Sequence, residues 1–234
     1  MFANLLQRSR RQLFPLQSHV LLGLAVSGLL SGCATNPLED RVWGPSYQPQ
    51  NVYTESHTLP AKLRRLAVLP LTAAGESTEL EFGRTSLEPV LMAELGRVNQ
   101  FELVPVTPEQ LHRWTGRSSW TGEEKLPQDF FAKLRAAAGV DGVLLSRLTQ
   151  YRAFEPLAIG WRIKLLDAQN PSVIWAVDEV FDARQSDVAN AARRFAQAHP
   201  ELGPTVGDSR ATLMSPRRFA QYTASAVFQT LPAR

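Results

Sequence analysis

Ala137-Ala138-Gly139-Val140-Asp141-Gly142-Val143-Leu144-Leu145-Ser146-Arg147-Leu148 is the stretch on which the fold turns. Before it, residues 127–138 have helical spacing, with Phe130, Phe131, Leu134 and Ala138 on one face. Gly139 suits the position just past a helix end, where the backbone becomes left-handed. Val140-Asp141-Gly142 turns the chain. Val143 to Leu148 is then a short apolar run, which reads as a buried strand.

Working outward, Leu66-Ala67-Val68-Leu69-Pro70-Leu71 has the same character behind Arg64-Arg65 and reads as a strand buried on both faces. Residues 77–98 place Leu80, Leu87, Leu91, Leu95 and Val98 on a helical face. Pro89 either kinks that helix or sits in the first turn of one starting near Ser86. Phe101 to Val106 is a further strand. Thr107-Pro108-Glu109-Gln110 supplies an N-cap and a Pro at N1 for a short helix through His112. On the other side, residues 157–182 alternate, with Trp161, Ile163 and Leu165 on one face and Arg162 and Lys164 on the other. With a turn at Gln169-Asn170-Pro171-Ser172 they predict an antiparallel hairpin. Ser186-Asp187 is expected to cap a helix through about Ala198, and Ser215-Pro216 to start a last one. The expectation is an α/β (α+β) sandwich. Its mixed sheet has about five strands, ends in a C-terminal antiparallel hairpin and is flanked by helices.

The N-terminus reads differently. Arg8, Arg10 and Arg11 stand in a segment without acids, and Val20 to Leu30 is an apolar run of eleven residues. That is too short for a transmembrane helix, which needs about 20 apolar residues, and suits a signal peptide. Leu30-Ser31-Gly32-Cys33 closes it in the manner of a bacterial lipoprotein signal. Leu30, Ser31 and Gly32 are the expected peptidase recognition residues, and Cys33 is the expected site of lipidation. Ser9-Arg10-Arg11-Gln12-Leu13-Phe14 resembles a twin-arginine signal, but three basic residues often include a pair by chance, and ordinary export is the favoured reading. Ala34 stands where an Asp would favour inner-membrane retention. The expected location is therefore the outer membrane, on its periplasmic face, attached through the lipid. Cys33 is the only cysteine, so no disulfide forms within the chain.

The expected organisation is a signal peptide at 1–32, a lipidated Cys with a flexible tether at 33–62, and a periplasmic domain at 63–234. Pro37, Pro45, Pro49 and Pro60 break the tether into segments without periodicity. Trp43, Tyr47 and Tyr53 within it are expected either to dock on the domain or to sit at the lipid interface. The formal charge of +3 comes entirely from the signal peptide: 25 basic residues less its three leaves 22, against 22 acidic. A near-neutral mature chain gives no reason to expect nucleic-acid binding.

Catalytic patterns are missing. His57, His112 and His199 are scattered, and no metal-ligand spacing, Gly-x-Ser-x-Gly elbow or Walker loop occurs. Gly207-Asp208-Ser209 only faintly resembles a hydrolase motif, because Arg210 follows where Leu belongs. Neither enzymatic activity, a cofactor nor a metal is expected. Glu123-Glu124 and Asp178-Glu179 read most simply as solvated acids. The Gly-containing loop over 114–126 repeats Trp-Thr-Gly at Trp114 and Trp120. The two rings form either an exposed contact surface for a protein, glycan or lipid headgroup, or part of the core under a folded-back loop.

Three segments together carry a resemblance: Arg65 to Leu71, Ala137 to Thr149, and Arg162 to Asp167 with Val173 to Ala176. They resemble a family of bacterial envelope lipoproteins that includes the curli-secretion lipoprotein, the penicillin-binding-protein activator and the Pel polysaccharide-export lipoprotein. The domain of that family is similar to the N-terminal domain of TolB. The resemblance implies a non-enzymatic role in envelope assembly. That role is activation of a cell-wall synthase or service in an export complex, with an envelope protein partner and, for ring-forming members, self-assembly. The competing expectation is a lipid-anchored glycan- or peptidoglycan-binding module or hydrolase using the Trp114–Trp120 loop.

Overall fold

The buried run after Gly142 becomes the middle of a sheet. The computed structural model describes residues 40–202 and 208–234, and residues 42–234 form one compact unit. In chain order its strands are β1 (Val52–Thr54), β2 (Arg65–Val68), β3 (Thr72–Ala73), β4 (Glu102–Pro105), β5 (Gly142–Arg152), β6 (Ala158–Asp167) and β7 (Val173–Asp182). Its helices are α1 (Thr78–Val98), α2 (Pro108–Thr115), α3 (Phe130–Ala138), α4 (Ser186–Ala198), α5 (Ala211–Met214) and α6 (Pro216–Phe228). The sheet order is β1-β7-β6-β5-β2-β4, with β3 also on β5. β2 runs parallel to β4 and β5, whereas β5, β6, β7 and β1 pair antiparallel. This is the mixed α/β architecture expected, with two short strands added.

Alternation along the central strands separates two cores. Leu66, Val68, Leu144 and Leu148 join one that includes residues of α1, α4 and α6. Ala67, Leu69, Val143 and Leu145 join a smaller one with Phe130, Phe131 and Leu134 of α3 and Leu111 of α2. Both faces of β2 and β5 are covered, which is why their sequences are continuously apolar. On β6 Ile159, Trp161, Ile163 and Leu165 enter the larger core. The indoles of Trp161 and Trp175 are fully buried. Their N–H groups donate to Thr223 Oγ1 at 2.9 Å and Thr230 Oγ1 at 3.0 Å, so no donor is stranded.

The turn at 139–142 has a mechanical explanation. Gly139 ends α3 at φ 61°. Asp141 Oδ2 accepts from the backbone N–H of Arg64 at 3.0 Å and Arg65 at 2.9 Å, fixing the start of β2 beside β5. Gly142 has no room for a side chain, since a Cβ would lie 2.5 Å from Leu63 Cδ1.

Some boundaries differ from the expectation. α1 is one helix from Thr78, with Pro89 inside it, rather than a helix beginning near Ser86. The Ser77 side chain caps its start by accepting from Leu80 N at 3.1 Å. α3 begins at Phe130, because a turn closed by Phe130 N–H to Pro127 O precedes it. α4 is capped by Gln185 without a side-chain bond, and Ser186 is its first residue. β5 continues to Arg152 and makes a second antiparallel pairing, with β6.

Candidate functional site

Two segments without periodicity lie on this scaffold, and both are held by glutamates. The first is a strap over residues 43–59. The Tyr47 hydroxyl donates to Glu179 Oε1 at 2.7 Å, and the N–H groups of Gln50 and Asn51 donate to Glu179 Oε2 at 2.7 and 3.1 Å. The Tyr47 ring packs edge-on against Phe181, with centroids 5.5 Å apart. Burial, followed by the bond to Glu179 and its charge, pushes the Tyr47 pKa far up, so the hydroxyl stays a donor. Val52–Thr54 then pairs with β7, and Leu59, buried, donates from its N–H to Ala233 O at 2.8 Å. The segment expected as tether is therefore part of the sheet from Val52, and its Tyr47 docks on the domain. Tyr53 and Trp43 remain exposed.

The second segment is the loop between α2 and α3. Trp120 is 6% exposed and lies in the smaller core, edge-on to Phe130 at 5.5 Å. Its N–H donates to Thr115 Oγ1 at 2.8 Å, and the Arg117 guanidinium stacks over its ring at 4.3 Å. Trp114 is half-buried against the same core. The loop is folded back, and the contact-surface reading is corrected for Trp120, whose ring has no free face to offer.

The paired acids are partly exposed and also hold partners. Glu123 accepts from Arg147 at 2.9 Å and Arg162 at 3.1 Å, joining the loop to β5 and β6. Burial alone would raise its pKa, but the bonds and charges of Arg162 and Arg147 hold it below the ordinary Glu value. Glu124 accepts from Arg117, Thr121 N and Thr121 Oγ1. Lys164 Nζ donates to Gly122 O at 2.7 Å. Asp178 pairs with Arg162 on the sheet face opposite the strap's Glu179. These acids are structural clamps; the partners of Glu123 and Glu179, distant in sequence, gave no local signal.

The remaining candidates do not assemble chemistry. Leu30, Ser31, Gly32 and Cys33 lie outside the described residues, as does Gly207. Ser209 is buried and its hydroxyl accepts from Arg193 Nε at 2.9 Å. Among the described residues, no three metal-ligating side chains gather. A cavity of about 860 Å³ opens between the strap's end and β4, lined by Arg64, Phe101 and Arg234. Arg234 is held there by Gln100 O and Leu63 O and stacks on Phe101. A cavity of about 300 Å³ holds Glu94, Arg97 and His199. In it Glu94 pairs with Arg97, and His199 Nδ1 bonds Phe195 O.

No family model and no curated protein matches this sequence. Solved structures match it in outline. The PelC dodecamer from Paraburkholderia phytofirmans is 13% identical, with a TM-score of 0.37, over 79% of this chain and 100% of that one. Lipoprotein GNA1162 from Neisseria meningitidis is 14% identical, with a TM-score of 0.39, over 61% of this chain and 98% of that one. The LpoB C-terminal domain from Escherichia coli is 16% identical, with a TM-score of 0.33, over 50% of this chain and 82% of that one. The chain is similar in outline to envelope lipoproteins. That is the group whose motifs residues 65–71, 137–149 and 162–176 resemble. At these identities and TM-scores the likeness is one of chain path and says nothing about activity.

Proposed function

We propose that this chain is a lipid-anchored envelope protein of the outer membrane's periplasmic face, acting by protein contact close to that membrane. The observation that carries the reading is the strap. A tether free to residue 62 would reach about 100 Å from Cys33 when fully extended. With the strap docked, only the chain from Cys33 to Val42 is left, nine residue steps, or about 32 Å at most at 3.3–3.6 Å per residue. The domain itself must then stay close to the anchoring membrane, which favours an export or assembly component there over a synthase in the opposite membrane. The clamps described above use the acids structurally, which supports a non-enzymatic role.

The test is crosslinking in living cells, followed by affinity purification and mass spectrometry, with Cys33→Ala as the control. Palmitate incorporation should be lost in Cys33→Ala. A recurrent outer-membrane or export partner, lost with the anchor, supports the reading. Recovery of an inner-membrane synthase as the main partner would overturn its short reach. Absence of lipid on the wild-type chain would overturn the anchor.

A further inference from the structure

We propose that the outer side of α4, with the β5–β6 turn and the end of α5, seats this domain directly on the surface of a lipid bilayer. The proposal rests on the lipid-anchored reading above and adds a defined membrane-facing side to it. Three large apolar side chains stand out from this region: Phe154 in the β5–β6 turn is 80% exposed, Met214 at the end of α5 is 64% exposed, and Trp43 at the strap's start is 71% exposed. Such groups are costly to leave in water.

The fold gathers them around α4. Glu155, the neighbour of Phe154, and Met214 line one open depression of about 380 Å³ with Asn190, Arg193 and Arg210. Asn190 Nδ2 also donates to Pro45 O at 3.3 Å, and Arg194 Nη2 bonds Gly44 O. The strap therefore enters beside the depression, and Trp43 immediately precedes that entry. Arg193, whose Nε also donates to Ser209 Oγ at 2.9 Å, and Arg210, whose backbone N–H donates to Asp208, line the depression with Glu155, and Arg194 stands one position further along α4.

Aromatic and thioether tips beside arginines match the boundary of a bilayer. Apolar tips enter the headgroup–acyl boundary while the guanidinium groups meet lipid phosphates. The bilayer is the occupant because the chain leaving the patch leads to Cys33 within about 32 Å. A lipid anchor and an apolar, arginine-bearing patch within reach of the same chain segment act together as two attachment signals.

The experiment uses the mature, lipidated protein on vesicles of phosphatidylethanolamine, phosphatidylglycerol and cardiolipin. Lipidation consumes the thiol of Cys33, so Phe154→Cys, Met214→Cys and Glu109→Cys each carry one free thiol for an environment-sensitive fluorophore. All three positions are exposed, so the changes remove little buried surface; Glu109 lies on α2 in the other layer. The expected result is a blue shift and quenching by brominated lipid at 154 and 214, with neither at 109. Protein that floats with the vesicles while the labels at 154 and 214 behave like that at 109 overturns the docking and leaves the anchor standing. Protein that neither floats nor carries lipid mass overturns the anchor and the docking with it.

Discussion

The strap over residues 43–59 and the loop over residues 114–126 look alike in sequence and are held in different ways. Both are polar, broken by Pro or Gly and dotted with aromatic rings. Glu179 binds the strap through neutral donors: a phenol and two backbone N–H groups. Glu123 binds the loop through two guanidinium groups, and Trp120 fixes it by burial. The strap also carries a three-residue ladder to β7, which involves no charge. The difference teaches that salt should leave the strap in place, while the loop's rim should yield to salt and acid before its buried ring does.

The largest break in this comparison should come from Trp120→Ala. Removing a buried aromatic ring costs about 3–5 kcal/mol, read as a lower denaturant midpoint, with the exchange protection of β1 amides retained below the transition. Glu179→Ala should cost about 1–3 kcal/mol, because the half-buried Tyr47 hydroxyl loses its acceptor. Its signature is local: faster hydrogen exchange at Gln50 to Thr54, with the Trp120 loop unchanged. Equal exchange in both segments would show that the two are one cooperative unit.

Glu123→Gln should cost about 1 kcal/mol, the upper range for a partly exposed ionic cluster. Acid should reproduce it. The Glu123 pKa is lowered on folding, so its contribution is complete above the unfolded value, about 4.3, and is lost as pH falls through the folded value. The exchange protection of the loop's amides should therefore fall below about pH 4. A pH-independent loop would remove the clamp from the account. The smallest effect is that of salt. Near 1 M the screening length falls to about 3 Å, and the loop should loosen by a few tenths of a kcal/mol while the strap does not respond.

The contrast also explains what the sequence discloses. The long elements announce themselves through periodicity and caps: Thr107 with Gln110 forms a reciprocal capping box, and Gly139 takes the left-handed position after α3. The continuous runs at 66–71 and 143–148 are legible as doubly covered strands because both cores draw on them. β1 is not legible. Val52-Tyr53-Thr54 has strand-forming residues, but three positions show no period, and its partner lies more than 120 residues away. The roles of Glu179 and Glu123 are hidden for the same reason, since a carboxylate's partners are set by topology. The Trp114–Trp120 echo shows where rings are but not which way they turn.

The antiparallel strap has a mechanical consequence. Its attachments lie one after another along the chain: Tyr47 and Glu179 first, then the β1 ladder, then Leu59 on Ala233. Tension applied from the N-terminal side loads them in series, as in a zipper, rather than all at once in shear. Peeling residues 42–59 pays out about 60 Å of extra line at 3.3–3.6 Å per residue. The larger core, built mainly from β2, β5–β7, α1, α4 and α6, loses Leu59 and the packing of Tyr47 and Val52 but keeps its other members. On the lipid-anchored reading proposed above, the same segment would be a short mooring at rest and a longer one under load.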